Sequence, residues 1–320
     1  MGHGGCATCR RRIRLKEVQR NVTPAHHRPP WVDAELYPFE SRFIELDGNS
    51  VHYVDEGSGP ILLMLHGNPT WSFEYRDVID SLRDRFRCIA LDYPGFGLSH
   101  AAPGYSYQPS AHAGVVVEFL DRMDLSDVTL VAHDWGGPIG LFAAEQRPDR
   151  FKRLVLTNTW AWPLNGDLKM EVASRLVGGP IGRELVRQIN LFVNALIPVG
   201  HRRRKVSHAE MTHYREALGT RERRNACAIM PGAILGSRNF LADIEDHLPL
   251  LAQLPTLIVW ADSDVAFSDK DRKRLENNFP NHTTVIVHGA GHYVASDAAD
   301  EMSQAIRDWW NGPAGDKTAA

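Results

Sequence analysis

Asp134 stands where an apolar run stops and a small-residue helix begins, in Val128-Thr-Leu-Val-Ala132-His133-Asp134-Trp135-Gly136-Gly137-Pro138. Its neighbours two positions away, Ala132 and Gly136, are small. A strand-to-helix turn tight enough to thrust its central side chain above a sheet edge requires this. The residue at the centre is a carboxylate where the better-known version of the turn carries a serine. An aspartate there cannot leave an acyl group by the esterase route, but it can displace a leaving group from saturated carbon and form an ester that water then opens. Opening that ester calls for a base, and His292, in Gly289-Ala-Gly291-His292, offers one worth about 10²–10⁴-fold. A second carboxylate would hold the base's tautomer and stabilise its imidazolium. Ala261-Asp262-Ser263-Asp264 offers two, of which Asp264 falls in the small-x-x-acid slot, with Asp262 as the alternate.

These residues need strand ends to carry them. The run 60–65 reads as a strand buried on both faces and ends at His66-Gly67-Asn68-Pro69-Thr70. The run 88–91 ends at Asp92-Tyr-Pro-Gly95-Phe-Gly97-Leu-Ser99, a turn motif with no Gly-x-Ser-x-Gly in it. Helical periodicity over 73–83 and 110–123 separates the strands, and two further strands, 255–260 and 284–287, precede Asp264 and His292. A hairpin over 43–54 turns at Asp47-Gly48-Asn49. Alternating strands and helices imply an α/β fold with a mostly parallel sheet, right-handed crossovers and helices on both faces. The rhythm breaks after 153–157. From 158 to 248 the pattern is helical, with helices expected over 167–176, 183–196 and 208–218 and breaks at Gly178-Gly179-Pro180, Pro198 and Pro231. This divides the chain into a core of 31–157 and 249–311, a helical cap of 158–248, a flexible arm of 1–30 and a disordered tail of 312–320.

With 320 residues, 43% of them hydrophobic and 23% charged, the chain can bury a large core. Its net charge of −3 argues against phosphate-driven binding of nucleic acid. Four cysteines are too few and scattered for a disulfide scaffold, so a reducing, cytoplasmic setting is expected. No apolar run reaches the roughly 20 residues of a membrane span. Cys6-Ala-Thr-Cys9, before a basic run at 10–14, lacks the second pair that a zinc site needs, and the reading calls for no metal and no cofactor. A solvated loop is the plain reading of the basic run 201–205.

Five motifs in this order at strand ends make the chain resemble the α/β-hydrolases and, among them, the haloalkane dehalogenases, over roughly 37–310. The resemblance implies that Trp135, directly after the nucleophile, and Asn68, in His-Gly-Asn-Pro, receive the departing halide. Donors aimed at developing charge suit a dry pocket that solvates halide poorly. The backbone N–H groups of the same two residues would hold the oxyanion. The resemblance implies an acid after either the sixth or the seventh strand; the sixth ends at Leu156-Thr157-Asn158-Thr159-Trp160 without a carboxylate, and the seventh offers Asp262 and Asp264. Trp160 and Trp162 are placed on the cap side of the pocket, with core packing as the competing reading, and His133 reads as a packing or hydrogen-bonding neighbour.

The substrate implied is a small apolar haloalkane, the products alcohol and halide, and self-association is compatible with the reading. The nearest rival is an epoxide hydrolase, whose family protonates the epoxide with cap tyrosines, usually two, and places an aromatic where Asn68 stands. Here the cap interval contains only Tyr214. A fluoroacetate dehalogenase would show arginine after the nucleophile, where Trp135 stands. A cofactor-free luciferin oxygenase and a non-catalytic receptor on the same scaffold are the minor readings.

Overall fold

Runs such as Leu62-Leu63-Met64-Leu65 and Val128–Ala132 have no polar face, so they are stable only where both sides of a sheet are covered. The structure, a computed structural model, describes residues 28–312 and places these runs at the centre of one eight-stranded sheet. The Cys6/Cys9 arm through residue 27 and the tail from 313 lie outside the described residues. Arg28, within the expected arm, is held by the carbonyls of Val32 and Asp33.

The strands are β1 (Arg42–Leu46), β2 (Asn49–Glu56), β3 (Ile61–Leu65), β4 (Arg87–Leu91), β5 (Val128–Asp134), β6 (Phe151–Thr159), β7 (Thr256–Ala261) and β8 (His282–Val287). Their order across the sheet is β1-β2-β4-β3-β5-β6-β7-β8. The β1–β2 and β2–β4 pairings are antiparallel; all others are parallel. The hairpin turns where expected, at Asp47 and Gly48, both with positive φ. Parallel pairing puts the carboxyl ends of β3, β5, β6, β7 and β8 at one edge, where open α/β sheets bind ligands. Core helices α1 (Arg76–Leu82), α2 (Pro109–Arg122) and α3 (Gly136–Gln146) cross between the first strands. Asp92, at the end of β4, is buried and accepts from the backbone N–H groups of Ser72 and Leu98, which ties the turn after β4 to the segment after β3.

Between β6 and β7 lie α4 (Leu168–Gly178), α5 (Pro180–Ile189), α6 (Ile197–Gly200), α7 (His208–Ala217), α8 (Arg224–Gly236) and α9 (Arg238–His247). Three features differ from expectation. The helix expected over 183–196 starts at Pro180 and stops at Asn190, whose φ of 50° is a left-handed cap; a π-helical turn, Phe192–Leu196, then leads into α6. Pro231, read as a break, sits inside α8, where the Ser174 hydroxyl donates to its carbonyl at 2.6 Å. A proline removes only its own N–H bond, and packing against α4 and α5 overrides that local cost. β6 runs two residues past 157, so Asn158 and Thr159 belong to the sheet's working edge. The chain closes with α10 (Asp269–Asn278), α11 (Val294–Asp297) and α12 (Ala299–Asn311). Among the described residues no helix is long and apolar enough to cross a membrane.

Candidate active site

Asp134 ends β5 with φ at 49°, a left-handed conformation that L residues avoid without support. The support is visible. The Thr159 hydroxyl donates to the Asp134 carbonyl at 2.6 Å, and the Asn68 backbone N–H donates to Asp134 Oδ1 at 2.9 Å. Close approach of neighbouring chain is part of the same geometry. A Cβ on Gly67 would collide with the Asp134 side chain, and one on Gly136 would collide with the Leu65 carbonyl.

His292, after β8, brings Nε2 to 3.8 Å from Asp134 Oδ2, while its Nδ1 donates to Asp264 Oδ2 at 2.9 Å. That second bond selects the tautomer whose Nε2 can take a proton. Asp264 is held in turn by the Ala266 N–H at 2.6 Å and by Asn158 Nδ2 at 2.8 Å. Asn158 is fixed on β7 by the Ala261 N–H, which reaches its Oδ1 at 2.9 Å. Asp262, the alternate, turns away: its oxygens take His288 Nδ1 and the Gly289 N–H, both at 2.7 Å. Burial opposes ionisation of Asp264, yet the facing imidazole and the hydrogen bonds hold its carboxyl below the usual range. Burial likewise works against charging His292, but Asp264 first, then Asp134 and Glu74, push it up to about 9.

Asn68, Asp134, Trp135 and His292 line one cavity of about 250 Å³, whose other walls include Met170, Ala173 and Phe192 from the helical insertion. Leu196 and Val265 also line it and are more than a third exposed, so the cavity opens beside them. The Trp135 indole N–H has no acceptor among the described residues. Among the described residues Asn68 Oδ1 is buried without a donor, and the side chain lies within bonding reach of the buried Cys227 thiol on α8. Among the described residues, no cluster of three His, Cys, Asp or Glu is placed to hold a metal.

Two expected pocket residues lie elsewhere. Trp160 packs edge-on against Trp135, centroids 4.7 Å apart, and against Phe267 at 5.2 Å; Trp162 is covered by the Arg274 guanidinium at 4.4 Å. Neither lines the cavity; both indoles are buried in packed core. Asn158, Thr159 and Glu74, close to Asp134 and His292, carry no sequence signal strong enough to single them out for a role, and His133 carries only the reading of a packing or hydrogen-bonding neighbour. The last two, both fully buried, meet with His133 Nδ1 2.6 Å from Glu74 Oε1.

An aspartate on a tight turn at the end of β5 and a histidine after β8 on this sheet define the class: an α/β-hydrolase. A family model described as "alpha/beta hydrolase fold" matches residues 60–179. "Haloalkane dehalogenase 2" of Mycobacterium tuberculosis and of Mycobacterium bovis are each 45% identical over 276 residues, which cover 86% of this chain and 96% of those proteins. The chain belongs to the haloalkane dehalogenase family. A "Cis-3-alkyl-4-alkyloxetan-2-one decarboxylase" of Shewanella oneidensis is 33% identical over 285 residues, covering 85% of this chain and 88% of that protein. Among solved structures, haloalkane dehalogenase DbeA from Bradyrhizobium elkani shares the fold with a TM-score of 0.78 at 22% identity, over 85% of this chain and 97% of that one.

Proposed function

We propose that this chain hydrolyses haloalkanes to alcohol and halide through a covalent ester on Asp134. One Asp134 oxygen attacks the carbon opposite the halogen; the new C–O bond forms as the carbon–halogen bond breaks, and halide leaves with the electron pair toward the Trp135 indole and the Asn68 amide. His292 Nε2 then takes a proton from water, the hydroxide adds to the Asp134 carboxyl carbon, and the Asn68 backbone N–H stabilises the oxyanion. The intermediate collapses by breaking the carbon–oxygen bond to the alkoxide, which takes the proton from His292 and leaves as the alcohol, and the Asp134 carboxyl sheds the water's other proton to solvent, returning the carboxylate. Asp264 orients the imidazole and balances its charge. No cofactor or metal enters either step.

The observation that supports this best is convergence: nucleophile, base and two side chains able to donate to halide all face one largely apolar cavity. An epoxide hydrolase needs an acid above the nucleophile. Tyr214 is buried, its hydroxyl has no hydrogen-bond partner among the described residues, and it does not line the cavity; Tyr293, from the core, does. The test is bromide release from short bromoalkanes with styrene oxide as a parallel substrate. Bromide release without diol formation is expected, and diol formation without bromide release would contradict the proposal. The decarboxylase relative supports a second reading, in which an oxetan-2-one loses CO2 to leave an alkene. Alkene and CO2 from a β-lactone, with bromoalkanes untouched, would select it.

A further inference from the structure

The buried pair Glu74–His133 belongs to no step above, yet it touches the loops that carry the chemistry. Glu74 lies on the turn Ser72–Tyr75, just beyond the loop that carries Asn68. Its Oε2 accepts from the Thr70 hydroxyl, which also reaches the Gly67 carbonyl at 3.0 Å. His133 directly precedes Asp134, and its ring centroid is 4.6 Å from that of His292 at an interplanar angle of 55°. Both side chains are wholly removed from solvent. The 2.6 Å approach of His133 Nδ1 to Glu74 Oε1 is off hydrogen-bond geometry, and among the described residues His133 Nε2 has no hydrogen-bond partner. An imperfectly satisfied polar pair in a core is costly and calls for an explanation.

We propose that Glu74 and His133 position the base: Glu74 holds His133, His133 holds the His292 ring, and the Glu74 carboxylate stabilises the imidazolium formed when water is deprotonated. This rests on the hydrolytic reading. The reaction itself makes the second carboxylate matter. In the free enzyme His292 is faced by Asp264, Asp134 and Glu74, and by the rings of His133, Phe267 and Tyr293. Once Asp134 is an ester it carries no charge, so Asp264 and Glu74 are the anions left to face the base. Glu74 is available as an anion: burial opposes its charge, but His133, Thr70 and His66 hold its carboxyl below the usual range. The hydroxyls of Tyr75, Tyr93, Tyr214 and Tyr293 also face it, and burial, first, and then its charge among other effects keep them protonated. The nearby cation Arg76 is committed to Glu210 and Asp77.

Glu74→Gln removes the charge and keeps the shape. Loss of a facing anion lowers the His292 pKa, so by NMR titration of the full-length protein its midpoint should fall by about one unit, and the rising limb of the ester-hydrolysis pH profile should move to lower pH. On the plateau, hydrolysis should slow by about three- to tenfold because a weaker base drives water deprotonation less, while the bromide burst of the first step stays within about twofold. Glu74→Asp should restore the wild-type midpoint. If Glu74→Gln fails to fold, the double variant Glu74→Leu with His133→Phe removes the pair without stranding a charge and should show the same acidward shift. An unmoved His292 midpoint, or an equal slowing of both steps with an unmoved profile, would overturn the proposal. Wild-type protein that released no bromide would sink the dehalogenase reading instead, and the titration would still decide the pair.

Discussion

Asp262 and Asp264 are two positions apart after β7, and their surroundings give them different work. Asp264 has a buried side chain, takes the Ala266 and Asn158 donors and meets His292; Asp262 caps the exposed turn at His288 and Gly289. A carboxylate that fixes the imidazole tautomer matters most in the step that uses the imidazole. Asp264→Asn should therefore cut turnover by about 10³–10⁴-fold and accumulate ester, since an amide can donate to Nδ1 and favour the wrong tautomer. Asp262→Asn should leave turnover within about twofold, because it breaks only an exposed turn contact. Steady-state bromide release by the two variants checks this, and equal losses would contradict the assignment. Asn158 explains why the carboxylate sits after β7. The residue at the end of β6 is an amide that donates to Asp264, so this position supports the acid where it could have supplied it.

At the scale of elements, the site is a set of strand ends brought level by parallel pairing, and the elbow is where they crowd most. Gly67 lies against the Asp134 side chain so closely that a methyl group has no room. Gly67→Ala should push the oxyanion loop or the nucleophile off position, lower stability by about 1–3 kcal/mol, and depress the first chemical step; thermal unfolding and burst kinetics together read this. A fully active, equally stable variant would show that the loop has slack. The same elements explain what was legible in the sequence. Buried strands each ending in a short motif reveal their order, and the motifs at Asn68, Asp134, Asp264 and His292 follow from it. Helix α8 was not legible, because Pro231 signals a break unless one knows that α4 and α5 pack around it. The tryptophans misled because an indole after a strand reads equally as pocket lining or core, and only the fold packs Trp160 against Trp135 and Phe267. The pairing of Glu74 with His133 was not legible for a further reason: they are 59 positions apart in sequence, and only the folded sheet puts them within 2.6 Å.

At the scale of the molecule, the sheet supplies charge and the helical insertion supplies an apolar lid, so the nucleophile meets its substrate in a small cavity with few competing dipoles. Halide leaves such a place only if donors wait for it, and water reacts there only beside a base. The two steps therefore fall on different residues, which makes them separable. Removing His292 should stop the second step and spare the first. Incubation of His292→Phe with a reactive bromoalkane, followed by intact-mass measurement and peptide mapping, should show the protein heavier by one alkyl group, carried on Asp134. An unmodified His292→Phe protein, under conditions in which the wild type releases bromide, would contradict the account.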